Sequence, residues 1–345
     1  LTLQAELKQL IRRHGPLSVA AYMGLCLGHP EYGYYQTRDP LGEQGDFTTA
    51  PEISQMFGEI IGAWLAEVWL SLGEPECQLV ELGPGRGTLM ADILRVANLA
   101  TGFRDKVSLH MIETSPMLRE AQAARLHHHQ ITWHEGIEAL PEQLSLFVAN
   151  EFFDALPVRQ FVSTGTMLAE RCVRLDEADE LCFGLDESKQ IPGQVPAGGI
   201  VETCPAAIAI MGEIGRRIAT EGGAALAIDY GYAGPAVGDT LQALSKHKFV
   251  DPLHDPGEAD LTAHVDFSAL AMAAERAGAV ALPLVEQGAF LRALGIEQRA
   301  AHLAIKGAAP VMQALARLTA PEQMGSLFKV LGVCGKGQGL PGFDQ

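Results

Sequence analysis

Apolar positions recur at three- and four-residue spacing near the start of the chain. Leu3, Leu7, Leu10 and Ile11 form one run, and Ile53, Met56, Phe57, Ile60, Ile61, Trp64, Leu65, Val68 and Trp69 form a second. That period places each set on one face of a helix. Pro51 suits the first turn of the second helix, where an N–H has no partner to lose. A stretch rich in Gly, Pro and Tyr over 29–45 separates the two helices. The long stripe reads as a core face, with a partner interface as the alternative.

From Gln78 onward the pattern switches to short apolar runs alternating with helical stretches, as in a parallel sheet with crossover helices. Strands are expected at 79–82, 107–113, 131–134, 146–150, 224–229, 280–285 and 328–334. Helices begin near Thr88, Pro116, Pro205 and Asp266. Between 159 and 204 the rhythm breaks: 171–175 and 181–185, separated by acidic turns, read as part of a small antiparallel insert. Residues 231–265 read as a long polar loop, the kind that serves as a lid when it is not disordered. The expected organisation is an N-terminal helical and lid segment over 1–75, then an α/β domain over 76–345 carrying the insert and the loop.

Composition narrows the class. The 345 residues are 48% hydrophobic and 19% charged, with 37 Gly and 19 Pro, which describes a folded globular chain with many turns. A net charge of −17 opposes phosphate-backbone binding, so nucleic acid is not expected as a partner. Cys26, Cys77, Cys172, Cys182, Cys204 and Cys334 include no C-x-x-C pair and no metal-ligand spacing, and read as reduced, buried thiols. No metal is expected. The triple His127-His128-His129 reads as a solvated helix end. No apolar run approaches a membrane span and the N-terminus lacks the basic-then-apolar pattern of a signal peptide, so no membrane insertion is expected. Residue 1 is Leu and not Met, which leaves a trimmed start open.

The strongest chemical signal is Leu79-Val80-Glu81-Leu82-Gly83-Pro84-Gly85-Arg86-Gly87-Thr88, a strand running through a Gly-rich turn into a helix. Alternating glycines let the backbone turn sharply and approach a ligand, while the helix N-terminus offers N–H groups to an anion. Dinucleotide sites carry G-x-G-x-x-G, and here Thr88 stands where the last Gly belongs. An NAD-dependent dehydrogenase is therefore disfavoured. The form E-x-G-x-G-x-G resembles the first motif of class I S-adenosylmethionine-dependent methyltransferases. That resemblance implies room for the cofactor's methionyl part at Gly83, Pro84, Gly85, Gly87 and Thr88, with Glu81 near its ammonium.

The next strand ends in Glu113, 26 residues past Gly87, where a carboxylate can accept both ribose hydroxyls; the alternative is a helix-capping acid before Ser115 and Pro116. Gly136 and Ile137, just past Trp133, are candidate lining for the adenine. Asn150, Glu151 and Asp154 follow another apolar strand, where the ligand crevice of an open α/β sheet lies; capping of the following turn is the alternative for Asp154. Asp46, Thr49, Pro51 and Glu52 precede the long helix either as a lid or as its N-terminal cap.

Five blocks together resemble the MidA-like methyltransferases. They are Gly45-Asp46-Phe47-Thr48-Thr49-Ala50-Pro51-Glu52-Ile53-Ser54, Val80-Glu81-Leu82-Gly83-Pro84-Gly85-Arg86-Gly87-Thr88-Leu89, Asn150-Glu151-Phe152-Phe153-Asp154-Ala155-Leu156-Pro157-Val158, Ile228-Asp229-Tyr230-Gly231 and Asp260-Leu261-Thr262-Ala263-His264-Val265-Asp266-Phe267. The blocks span almost the whole chain in order. That family includes the mitochondrial arginine methyltransferase needed to assemble respiratory complex I. The resemblance implies a Rossmann-like seven-stranded sheet, S-adenosyl-L-methionine as cofactor, and a protein substrate, the quinone-site subunit of complex I. A second copy of the chain is carried as a further candidate partner. The implied compartment is the cytoplasm in a bacterium or the matrix of mitochondria in a eukaryote.

Arginine methylation needs carboxylates, because the guanidinium is cationic and its lone pairs are delocalised. Glu151 and Asp154 are the candidate fork for its donors, with Asp46, Glu52 and Asp229 in reserve. His264 is the candidate for orienting an acid or taking the released proton, against a solvated surface role. A cofactor-binding assembly factor without catalysis is the competing function.

Overall fold

In the computed structural model, residues 2–37, 48–97, 99–193, 195–305 and 307–343 are described. Asp46, with the rest of 38–47, lies outside them. The chain forms two compact units, one from residues 1–47, 154–207 and 234–266 and the other from 48–153, 208–233 and 267–345. The division differs from the expected 1–75 and 76–345. The apolar helix Gln55–Ser71 belongs with the second unit because Phe57, Ile61, Trp64, Leu65 and Trp69 are buried in the same cluster as the sheet residues Leu79, Leu146 and Leu226.

The second unit is built on seven strands: β1 (Cys77–Leu82), β2 (Val107–Ile112), β3 (Ile131–His134), β4 (Ser145–Asn150), β5 (Gly223–Tyr232), β6 (Val280–Ala281) and β7 (Phe328–Cys334). They lie in the order β3-β2-β1-β4-β5-β7-β6. Pairing is parallel from β3 through β5, and β7 runs antiparallel to β5 and β6. The order therefore reverses between β1 and β4, and a crevice for a ligand opens beyond their carboxyl ends. β1 and β4 are wholly buried along their length, as strands covered on both faces must be. The seven strands of this path match the seven-stranded expectation, and further short strands pair off the path. The strand expected at 280–285 is instead two short runs, Val280–Ala281 and Val285–Glu286, both paired with β7.

One expected helix is two. Pro51 opens the single turn Ala50–Ile53, and Ser54, with extended backbone, ends it and caps Gln55–Ser71 by accepting the Met56 N–H at 3.2 Å. The longer helix is tied to its neighbours by buried Glu59, which receives two bonds from Arg299, at 2.7 and 3.0 Å, and one from Arg95 at 3.3 Å. Beside it Asp92 is pushed up to about 6, mainly by burial.

The first unit joins the helices Leu3–His14 and Val19–Gly28 to an antiparallel sheet of Leu17–Ser18, Arg159–Ser163, Met167–Leu175, Leu181–Pro192 and Ile200–Thr203. The expected insert is thus present with longer strands, and it shares a core with the N-terminal helices through Leu7, Ile11, Tyr22, Val158 and Val173. The expected long loop is corrected: Gln242–Ser245, Lys248–Val250 and Asp260–Thr262 form a three-stranded antiparallel sheet. Its strands are too short to leave a periodic signal, and only pairing across the sheet reveals them.

Candidate active site

The Gly-rich turn leaves β1 with Gly83, Gly85 and Gly87 all at positive φ (62°, 52° and 75°). No L side chain adopts that series without strain. A Cβ on Gly83 would stand 2.8 Å from Cδ2 of Phe152, so the ring fills the space beside the turn. The turn is pinned by the Gly83 N–H on the Ile112 carbonyl (3.1 Å) and by the Gly87 N–H on the Pro84 carbonyl (2.8 Å). Pro84 is buried. Thr88 opens the helix Thr88–Ala97 and donates its hydroxyl to Glu52 at 2.5 Å, which ties the turn to the Ala50–Ile53 helix. Thr49 precedes that helix without a side-chain capping bond, and Pro51 is buried in it.

Three strand ends supply the polar groups. On β1, Glu81 is 2% exposed and its Oε2 has no hydrogen-bond partner among the described residues. Burial pushes this carboxyl up to about 8 against a weaker opposing contribution from the Met90 N–H. On β4, Asn150 is buried with Oδ1 likewise unpartnered among the described residues. Residues 82 and 149 are partners in the β1–β4 ladder, so these two orphaned acceptors sit on adjacent strand ends. Just past β2, Glu113 accepts the Ser115 N–H at 2.8 Å, and burial raises its carboxyl above the ordinary range. The strand expected at 107–113 stops at Ile112, which leaves Glu113 as the first residue of the turn. Gly136, after β3, precedes the 3₁₀ turn Ile137–Ala139 with Ile137 buried.

Glu151 follows β4 in the left-handed conformation, φ 50°, costly for a non-glycine residue. Two donors hold its Oε1: the Ala50 N–H at 2.8 Å and Asn150 Nδ2 at 3.0 Å. Asp229 on β5 accepts the N–H groups of Phe153 (3.1 Å) and Tyr230 (3.0 Å), which fixes the turn that carries Glu151.

Asp154 and His264 belong to the other unit. Within theirs, the Asp154 carbonyl accepts the Ala263 N–H at 3.0 Å, next to His264. Tyr35, half-buried, donates to Asp260 at 2.8 Å, and its hydroxyl is raised well above the usual phenol range by desolvation and by the charges of Asp260 and Asp154. The His264 N–H donates to Thr240 Oγ1 at 2.9 Å, and Thr240 bonds Glu202 through both its N–H and its hydroxyl. His264 is half-buried and burial lowers its imidazole below the ordinary value, with Glu202 opposing. It is not the solvated loop residue of the alternative reading.

The residues fit an S-adenosyl-L-methionine site. An ammonium brings three donors and a positive charge, the complement of two orphaned buried acceptors, one of them a carboxyl held neutral only by burial. The glycine turn, without Cβ atoms at three positions, lets its backbone come close to a ligand, and Glu113 offers acceptors for hydroxyls. Sequence reasoning missed Gln122 and Phe152. Gln122 is fully buried on the helix Pro116–Arg125, four residues from the core residues Leu118 and Leu126. A polar residue in that apolar stripe was the available signal. Cys182 and Cys204 are half-buried, not buried as expected. Among the described residues, no helix is long and apolar enough to cross a membrane.

A sequence profile of S-adenosyl-L-methionine-dependent methyltransferases matches residues 60–285. The chain is 40% identical over 360 residues to the mitochondrial protein arginine methyltransferase NDUFAF7 of Mus musculus, covering 92% of this chain and 81% of that one. It is 38% identical over 374 residues to the Drosophila melanogaster homologue, also mitochondrial, covering 96% and 84%. A Burkholderia thailandensis protein solved bound to S-adenosyl-homocysteine superposes with a TM-score of 0.86 at 28% identity, over 99% of this chain and 94% of that one.

Proposed function

Because this chain belongs to the S-adenosyl-L-methionine-dependent methyltransferase family that includes the NDUFAF7 arginine methyltransferases, we propose that it methylates arginine in a protein of respiratory complex I. The proposed substrate is the quinone-site subunit, and the proposed setting is the bacterial cytoplasm, or the mitochondrial matrix in a eukaryote. The observation that carries the reading is Glu151, a carboxylate held in a strained left-handed turn at the mouth of the β1–β4 crevice by a neighbouring helix start and a neighbouring amide. Strain of this kind persists where surrounding structure over-determines it, and it clusters at functional sites.

The cofactor supplies a methyl group on a cationic sulfur. The chain's own work is to hold, orient and dry the reactants, and alignment of this sort lowers a barrier by up to ~7–11 kcal/mol. In the proposed assignment Gly83, Pro84, Gly85, Gly87 and Thr88 form the cradle, and Glu81 and Asn150 accept the ammonium donors. Glu113 accepts the ribose hydroxyls, Gly136 and Ile137 line the adenine, and Thr49 and Pro51 close the side nearest the Ala50–Ile53 helix. Glu151 accepts guanidinium N–H groups, which turns one nitrogen toward the methyl and localises positive charge on the others. Asp154 is assigned a second carboxylate role and His264 the uptake of the released proton. A His264 imidazole held below its ordinary value is neutral at pH 7, the form that takes a proton.

The test is incubation with methyl-labelled S-adenosylmethionine and the isolated quinone-site subunit, followed by peptide mass analysis. Label on arginine that is lost in Glu151→Gln supports the proposal. Intact cofactor binding with no label on arginine removes the acceptor assignment. Complex I assembly in cells that persists undiminished with Glu151→Gln would favour a non-catalytic assembly factor.

A further inference from the structure

Gln122 engages both amide hydrogens and its oxygen inside the protein. Nε2 donates to the Gly85 carbonyl at 2.7 Å and to Glu113 Oε2 at 3.3 Å, while Oε1 accepts the Trp133 indole N–H at 2.7 Å. The indole donor fixes which end of the amide is oxygen, so both amide hydrogens face the turn and the acid. The side chain is fully buried. It therefore joins three separate elements: the Gly-rich turn after β1, the acid after β2, and β3. A backbone N–H at Ser115 holds the other Glu113 oxygen, so Glu113 is fixed at both oxygens and its plane is set before any ligand arrives. The same donor opposes the upward effect of burial on Glu113 and keeps the carboxyl closer to its accepting form.

We infer that Gln122 is a positioning residue for the nucleoside end of the cofactor: it locks Glu113 in the orientation that accepts both ribose hydroxyls, and it sets the distance of that acid from the Gly-rich turn. The inference rests on the assignment of Glu113 to the ribose. Helix Pro116–Arg125 carries it because position 122 faces the turn closely: a Cβ on Gly87 would lie 3.5 Å from the Gln122 Cα and Cγ. No shorter or apolar side chain there supplies donors to two elements at once.

The experiment is calorimetric titration of the full chain with S-adenosyl-homocysteine and with its 2′,3′-dideoxy analogue. Charge-assisted hydrogen bonds to two hydroxyls make the native protein prefer the former by roughly 100-fold or more. Gln122→Met, close in volume but without donors, is expected to cut that preference to under about 10-fold while binding of the dideoxy analogue changes little. Gln122→Leu likewise removes both donors and is expected to cut the preference equally; it serves if the Met variant does not fold. Glu113→Ala is the reference that abolishes the preference. Should Glu113→Ala abolish it and the Gln122 variants leave it at the native level, or weaken both ligands alike, the positioning role is overturned and the ribose assignment stands. Should Glu113→Ala leave the preference intact, the ribose assignment itself fails and the inference falls with it.

Discussion

Lowering the pH from 8 to 6 is expected to weaken S-adenosylmethionine binding by roughly 50-fold, and one residue sets the size of the effect. Glu81 is buried, its Oε2 has no partner among the described residues, and its carboxyl is pushed up to about 8. Below that pH the ligand-free site holds a neutral acid, whereas an ammonium is complementary to the ionised one. Apparent affinity follows the ionised fraction. That fraction falls from about one half at pH 8 to about one hundredth at pH 6, a difference of about 2.3 kcal/mol. Binding at pH 7 should expel nearly one proton per ligand. Isothermal calorimetry at pH 7 in two buffers of different ionisation enthalpy reads that proton directly, and the dissociation constant at pH 6, 7 and 8 reads the slope. In Glu81→Gln both signatures should vanish and affinity should be low throughout.

Stability carries the opposite sign. The folded carboxyl titrates above its unfolded value of 4.5, so its contribution is fully present below 4.5 and is lost as pH rises toward 8. Glu81→Gln should therefore stabilise the ligand-free protein at pH 8 by up to about 4 kcal/mol, less the cost of seating an amide. A wild-type affinity that is flat from pH 6 to 8, with no buffer dependence of the binding enthalpy, would refute the reasoning.

Other outcomes follow from the same geometry. Gly83→Ala forces an L residue to φ 62° with its Cβ on the Phe152 ring; a loss of about 2 kcal/mol in urea unfolding is expected, with a larger loss in cofactor affinity. Glu151→Gln keeps an oxygen for the Ala50 and Asn150 donors, so folding and cofactor affinity should hold while arginine labelling falls about 100-fold or more. Glu59→Ala leaves Arg299 and Arg95 without their shared carboxylate; both arginines are partly exposed, so about 2 kcal/mol is expected from chemical denaturation, below the cost of a fully buried pair. His264→Gln should lower the methylation rate without changing the cofactor dissociation constant, and should flatten the acid limb of the rate profile below pH 6.5.

Gly83, Gly85 and Gly87 were legible in the residue order because local chemistry dictates them: positive φ demands glycine. Short continuous apolar runs gave the parallel core, because a strand covered on both faces buries every side chain. Other features depend on pairing between distant segments, which no local pattern encodes. The three-stranded sheet within 242–262 is one, and the grouping of the N-terminal helices with 154–207 is another. Glu151 was named from its place after a strand, but its left-handed backbone and its bond to Ala50, 101 residues away, belong to the tertiary structure. Gln122 shows the division most plainly. The sequence marks it only as a polar residue in an apolar stripe, and its three partners come together because helix, turn and strand converge there in space. Hydrogen bonds that close over long stretches of chain are decided by packing, while backbone conformations and periodic burial are written residue by residue.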